Sequence, residues 1–553
     1  MIRTVSMIRS DHFLYGCGSK GRNLCRANSC GFGASRTGGI DPVAPAASLD
    51  RMDKDVKKTL LAAALAASMI PAHAAVDAGP LSALSKVWTY QHIGQAAEIV
   101  AFDSITSSLW VAGVTGVDVV DFASGSLIQH IDTSIYGAIN SVAIHNGVAA
   151  FALESSADRS SPGTVKLFDT VTRSLASGVN SFTVGALPDM LTFTPDGSRL
   201  LVANEGTPNF NEDVDTTYAA FDPVGSVSII DMNARSVIAT AGLEGVPTSG
   251  SNIRDKARLG VDYEPEYIAV NAAGTKAYVT LQEANAIGVL DLTSNSFSQV
   301  IGLGVKDFNN TINAIDATDR PSGTINLKPV PVSGLYQPDA IAAYEANGST
   351  FLVMANEGDT REDEADKARI SASGLTGTPS ELARLNISTY DSTADNLVTF
   401  GGRSFSIRDE AGNIVFDSGN QLDAEAIARG IYDDGRSDDK GVEPEGVELL
   451  TMGGRTFAFI GLERTTKSAV AVYDITDPAS ASFIDMIVTN GDVAPEGLKG
   501  FTANGMHYLA IANEGTNTTS LYALAPVPEP ESYAMLLAGL GLIGFMSRRR
   551  LRA

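Results

Sequence analysis

A Pro-Glu or Pro-Asp pair opens a β-like run five times in this chain, and each time a further glutamate follows 16–18 residues later. The pairs are Pro188-Asp189, Pro265-Glu266, Pro338-Asp339, Pro444-Glu445 and Pro495-Glu496. The echoes are Glu205, Glu283, Glu357, Glu463 and Glu514, three of them within Asn-Glu-Gly at Asn204, Asn356 and Asn513. Self-similarity of this kind marks a repeat architecture. The clearest unit starts at Pro265: strands are expected over 267–270, 277–281, 287–291 and 297–301, with an Asn271-Ala272-Ala273-Gly274 turn. Four short strands in about 40 residues is the period of a propeller blade. Units beginning near Glu98, Asn140, Pro188, Pro265, Pro338, Pro444 and Pro495 predict an all-β propeller of seven four-stranded blades.

Antiparallel strands alternate direction, so the start of strand one and the end of strand two lie at the same end of a sheet. Both sets of acids are therefore expected at one mouth of a central channel. Crowded carboxylates raise each other's pKa, and a bound cation is the natural compensation. The expected metal ligands are Asp189, Glu205, Glu266, Glu283, Asp339, Glu357, Asp359, Glu445, Glu463, Glu496 and Glu514. Two acidic loops, 357–366 and 433–440, are expected near the same mouth and suit a hard cation such as Ca²⁺, though their order of acids is not an EF-hand's. Arg361 and Arg436 lie inside them, either as a clamp for an anion or as counter-charges to their neighbours.

The two ends read differently. Residues 1–51 hold all three cysteines and no periodicity, and translation is expected to start at Met52. Residues 52–75 have the three parts of a secretory signal: Lys54, Lys57 and Lys58, an apolar run, and Ala72-His73-Ala74 before the cleavage point. The chain carries a net charge of −24. Residues 76–525 hold roughly 57 acids against roughly 26 Lys and Arg, which excludes nucleic acid as a partner. Insertion 370–421 is expected to be a surface embellishment. The exported part has only His92, His130, His145 and His507, with no His-Glu-x-x-His, Gly-x-Ser-x-Gly or Walker loop.

At the C-terminus, Pro528-Glu529-Pro530 precedes an apolar run from Tyr533 to Met546 and then Arg548-Arg549-Arg550. This tail, 526–553, resembles the PEP-CTERM sorting signal. The resemblance implies an exosortase-type partner, removal of the tail, and delivery to the cell surface or extracellular matrix, with membrane contact only through the apolar segment. The body, 85–525, resembles the choice-of-anchor I domain and is similar to mesenchyme-specific cell-surface glycoproteins. The likeness rests on Leu201-Val202-Ala203-Asn204-Glu205-Gly206, Glu264-Pro265-Glu266-Tyr267, Gln337-Pro338-Asp339, Asn356-Glu357-Gly358-Asp359 and Glu443-Pro444-Glu445-Gly446. It implies a YVTN/WD40-like propeller.

The expectation is an exported propeller that binds Ca²⁺ and extracellular polysaccharide or matrix proteins. The alternative is a metal-dependent phosphoesterase, alkaline phosphatase-like or phytase-like. There Glu266, Asp339, Glu445 and Glu496 would serve as ligands or bases, and Arg361 or Arg436 would hold phosphate.

Overall fold

The computed structural model describes residues 83–207, 223–254, 263–361 and 366–525. The cysteines, the signal segment and the sorting tail lie outside the described residues. The architecture is all-β, with strand making up 52% of the described residues. The unit expected from Pro265 is found as strands Pro265–Val270, Lys276–Leu281, Ala286–Asp291 and Ser296–Leu303. They pair in chain order, antiparallel throughout.

Local chemistry accounts for these meanders. The hairpin turns at Asn146-Gly147, Asn347-Gly348 and Asn504-Gly505 have positive φ at both positions, the conformation that fits the twist of the flanking strands. At the same end of a sheet, an aspartate ends the third strand and caps the next turn. Asp121 accepts from the backbone N–H of Ser124, Asp169 from Thr172 and Asp291 from Thr293.

The expectation of a closed propeller is corrected by the sheets themselves. Among the described residues there are nine, of two to five strands, and none closes or curls on itself. Five have four strands, while two have five. The additions break the simple meander: Thr248–Ser251 joins the unit described above parallel to Ser296–Leu303. Strand-turn-strand patterning sets each sheet separately, because its signals are local. It carries no information on how a sheet's edges end.

Burial rises toward the middle strands. Ser108–Gly113 is buried at every position, whereas Leu127–Asp132 at the sheet edge is largely exposed. Consecutive sheets pack face to face. Leu201, Val227 and Ile229 of one meet Ile268, Val279 and Leu290 of the next. The sheet Pro495–Ala525 takes its fourth strand from the other end of the body, Ala83–Gln91, paired antiparallel with Thr518–Ala525.

The insertion also departs from expectation. Strand Ser349–Asn356 pairs with Ser404–Asp409, so the inserted segment is 357–403 and the residues after it rejoin the sheet. It is more than an embellishment of the surface. Phe308, Ile315, Val332, Ile370, Leu382, Leu385 and Leu397 form a core of their own. Arg403 pins it, fully buried, donating to the carbonyls of Asp316, Ser437 and Asp439.

Candidate metal centre

Each Pro-acid pair opens the first strand of a sheet, as at Pro188–Phe193, Pro265–Val270, Pro444–Met452 and Pro495–Ala503, or lies just ahead of it, as Asp339 does before Ile341–Ala346. The echoing glutamate leaves the end of the second strand. The Glu205 N–H donates to the Leu187 carbonyl at 2.9 Å, Glu463 to Glu443 at 3.0 Å and Glu514 to Ala494 at 2.9 Å. Both acids of a repeat thus stand at one end of their sheet, as strand direction requires.

Two backbone devices aim the first acid. In four repeats the pairing register slips immediately after the proline, at Pro188/Leu191, Pro265/Ile268, Pro444/Val447 and Pro495/Leu498. Irregularities of this type turn a side chain out of the regular alternation. The residue before the proline has positive φ in four of five cases: Leu187, Gln337, Glu443 and Ala494. Such conformations are costly for residues with a Cβ and cluster at functional sites.

The glycine of Pro-Glu-Gly brings the sheets together. A Cβ on Gly446 would lie 2.2 Å from the Glu496 carbonyl oxygen, and one on Gly497 2.2 Å from that of Glu98. Neighbouring first strands approach so closely that only glycine fits. The buried asparagine of Asn-Glu-Gly locks the second strand to the third. Asn204 Nδ2 donates to Ser228 Oγ at 3.0 Å, and Asn356 Nδ2 to Ser404 Oγ at 3.1 Å.

The carboxylates converge into three trios. In each of Asp189–Glu205–Glu266, Asp339–Glu357–Glu445 and Glu357–Glu443–Glu463, one carboxylate oxygen per residue lies within 4.8 Å of the others. Glu283 is beside the first trio and raises the pKa of Glu205 and Glu266. Glu496 and Glu514 adjoin Glu98. Asp359 is on the fringe, with a side chain 51% exposed.

Burial, then mutual repulsion, pushes these acids upward: Asp189 to about 6, Glu283 to about 7, and Glu98 and Glu463 to about 8. Glu205, Glu266, Asp339, Glu445 and Glu496 are raised well above the ordinary carboxylate range for the same reasons. Burial also holds the Tyr267 phenol protonated, and Asp339, Glu496, Asp189 and Glu445, from four different sheets, add to it. One ring thus feels acids from across the whole cluster.

The donor set fits a metal ion. Glu266 is only 9% exposed, and among the described residues no hydrogen bond or ion pair reaches its carboxylate. Glu283 Oε2 and Glu445 Oε2 are buried and unpartnered. A buried, unpaired carboxylate is expensive, and a cation is what relieves it. Oxygen ligands alone favour a hard divalent ion.

The calcium reading is nevertheless corrected. Three acids of the two loops that suggested it are held by arginines. Arg254 holds Asp366, Arg369 and Arg384 hold Asp438, and Arg436 holds Asp439. What remains are acid trios, which fit a divalent ion without singling out calcium. Residues 362–365 lie outside the described residues. The expected anion clamp is engaged too. Arg361 Nη2 donates to the Arg254 carbonyl at 2.6 Å, and Arg436 sits 2.6 Å from Glu443 and 3.1 Å from Asp439.

Glu98, Glu443, Lys440 and Arg464 are further members that the repeat pattern does not single out. Glu98 stands ahead of strand Val100–Asp103 with no proline to flag it, and Glu443 immediately precedes a flagged pair. Lys440 and Arg464 become visible only through the contacts they make.

These features define an all-β protein with a carboxylate-walled centre able to hold a metal ion. The chain belongs to the choice-of-anchor I domain family, which matches residues 98–478. Residues 526–550 match the PEP-CTERM protein-sorting motif, which indicates an extracytoplasmic, cell-surface export pathway of the exosortase type. None of the curated proteins compared with it matches this chain.

Proposed function

We propose that the exported body is a metal-dependent hydrolase of phosphoric esters, centred on Asp189, Glu205 and Glu266 with Asp339, Glu357 and Glu445 beside them. The observation that carries this reading is the trio of acids drawn from two sheets, with Glu266 buried and unpartnered within it. Adhesion through calcium alone is set aside, because nothing in the trios singles out calcium and three acids of the loops that favoured it are held by arginines. Bound in the centre, a divalent cation supplies Lewis-acid chemistry to a phosphoryl oxygen or a water molecule. The chain's own residues orient and exclude. Arg464, one quarter exposed, is paired with Glu463 at 2.8 Å, and Arg436 with Glu443 at 2.6 Å, so either guanidinium would have to leave its carboxylate to meet an ester's free oxygens. Exosortase recognition of Pro528-Glu529-Pro530 would place this activity at the cell surface, among matrix polysaccharides and proteins.

The test is phosphate release from p-nitrophenyl phosphate by chelator-stripped protein, with Mg²⁺, Mn²⁺, Zn²⁺ or Ca²⁺ added in turn. The expected result is turnover with at least one ion, lost in Glu266→Gln while the far-UV spectrum is unchanged. Absence of turnover with all four ions, in a protein that binds them, rejects hydrolysis of phosphomonoesters.

A further inference from the structure

The three trios are not equivalent. Among the described residues no cation sits amid the carboxylates of Asp189, Glu205 and Glu266; Arg159 acts on the first two electrostatically, and burial and mutual repulsion outweigh it. Glu357, Glu443 and Glu463 already have a cation among them. Lys440 Nζ lies 2.8 Å from Glu357 Oε1 and 3.0 Å from Glu443 Oε2, and it also donates to the Gly358 carbonyl. Gln282 Nε2 holds the other Glu357 oxygen at 2.8 Å. Arg464 pairs with Glu463 at 2.8 Å, and Arg436 with Glu443 at 2.6 Å. Asp359 is farther, 3.9 Å from the ammonium. The Lys440 side chain is 12% exposed, so this charge is held inside the cluster.

We infer that the Lys440 ammonium fills the third trio as a built-in cation, so that this trio takes no divalent metal ion while Lys440 is in place. An ammonium is a compact point charge whose three donors can satisfy several oxygens at once. It would compete with a metal for the same oxygens from a tether only three residues from Glu443, at a high effective concentration. The chain thereby limits how many metal ions the centre accepts. The inference rests on reading the centre as cation-binding, but its readout is a metal count and not turnover.

The experiment counts Mn²⁺ per chain by equilibrium dialysis and metal analysis of the purified full-length protein. Lys440→Met is expected to bind one more Mn²⁺ than the parent. Without metal it should melt below the parent, and it should recover when Mn²⁺ is added. Lys440→Arg should keep the parent's count, and Lys440→Met with Glu443→Gln should lose the extra ion. Equal counts in parent and Lys440→Met, whether both zero or not, overturn the inference. Lys440→Gln, which keeps a donor for Gly358, serves the same comparison if the Met variant does not fold.

A reading on the parent alone stands behind both. Lys440 should resist acetic anhydride equally with and without Mn²⁺, and labelling that appears on Mn²⁺ addition shows that metal displaces it. A parent that turns over ester while the variant gains no ion refutes this inference and leaves the hydrolase reading standing. A variant that gains an ion while the parent shows no turnover does the reverse.

Discussion

At Glu463 the cost of the centre can be read as a pH dependence. Burial first, then Glu443 and Glu357, push its carboxyl up to about 8 against an ordinary value of 4.5. The folded chain therefore holds protons that the unfolded chain has released between those limits. Stability falls as pH rises through that window. Glu98, with the same value, and Glu283, raised to about 7, act in the same direction. Denaturant titration of metal-free protein should show stability falling steadily between pH 5 and pH 8. Saturating divalent ion should lessen the part of that slope due to Glu283, which adjoins the first trio, and leave the part due to Glu463, whose trio Lys440 already occupies.

The asparagine of Asn-Glu-Gly makes a separate residue-scale test. Asn356 is fully buried, donates to Ser404 Oγ and accepts from Ser406 Oγ at 3.3 Å. Replacing it with Ala leaves both hydroxyls short of a partner and should cost about 1–3 kcal/mol in denaturant unfolding. The sequence displays this motif three times, yet only the structure separates its parts: Asn fastens strands, Glu faces the centre.

At the scale of the strand, the first strands of neighbouring sheets must nearly touch for their acids to meet. Gly497 has its N–H 2.9 Å from the Glu98 carbonyl, with no room for a Cβ. Gly497→Ala forces the two strands apart and should cost about 1–3 kcal/mol, with weakened metal binding in calorimetry as the acids spread. Ala494→Gly should do the opposite. Ala494 has φ 53°, which glycine adopts without steric penalty, so melting should rise by an amount equivalent to about 1 kcal/mol.

Strands, turns and the clustering of the acids were legible in the sequence, because alternation, Asn-Gly and Pro-acid pairs act within a few residues of each other. The counter-ions were not. Lys440 reaches Glu357 across 83 positions and Arg254 reaches Asp366 across 112, distances over which sequence spacing says nothing. That is also why the acidic loops read as a calcium site, although Asp366, Asp438 and Asp439 are held by arginines. Sheet closure failed for the same reason, since a four-strand period is a local signal.

For the whole body, the decisive contact joins its two ends. Strand Ala83–Gln91 pairs with Thr518–Ala525, and His92 follows it into a buried network. His92 Nδ1 lies 2.8 Å from Asp118 Oδ2, and Nε2 2.8 Å from Thr519 Oγ1. Asp118 also takes His130 Nδ1 at 2.7 Å. Thr519, His92 and Asp118 are arranged like a nucleophile, base and orienting acid, but all three are buried, so the chain of bonds is a fastening. It couples the first strand, the last strand and the sheet Val100–Asp132 in a single step. Burial opposes the charge on Asp118, but the bonds from His92 and His130 outweigh it and hold the carboxyl below its ordinary value.

A depressed acid contributes stability above its unfolded pKa and loses it as pH falls through the folded one. His92→Ala removes two buried bonds and leaves Asp118 with one imidazole partner. It should cost about 2–4 kcal/mol at pH 7. The difference between variant and parent should shrink only as pH falls through the parent's folded value, which lies below the ordinary 3.8, because the carboxyl is then neutralised in both. A difference that stays constant across that range would mean that His92 acts by packing alone, with Tyr90 edge-on at 4.7 Å, and not by holding a charge.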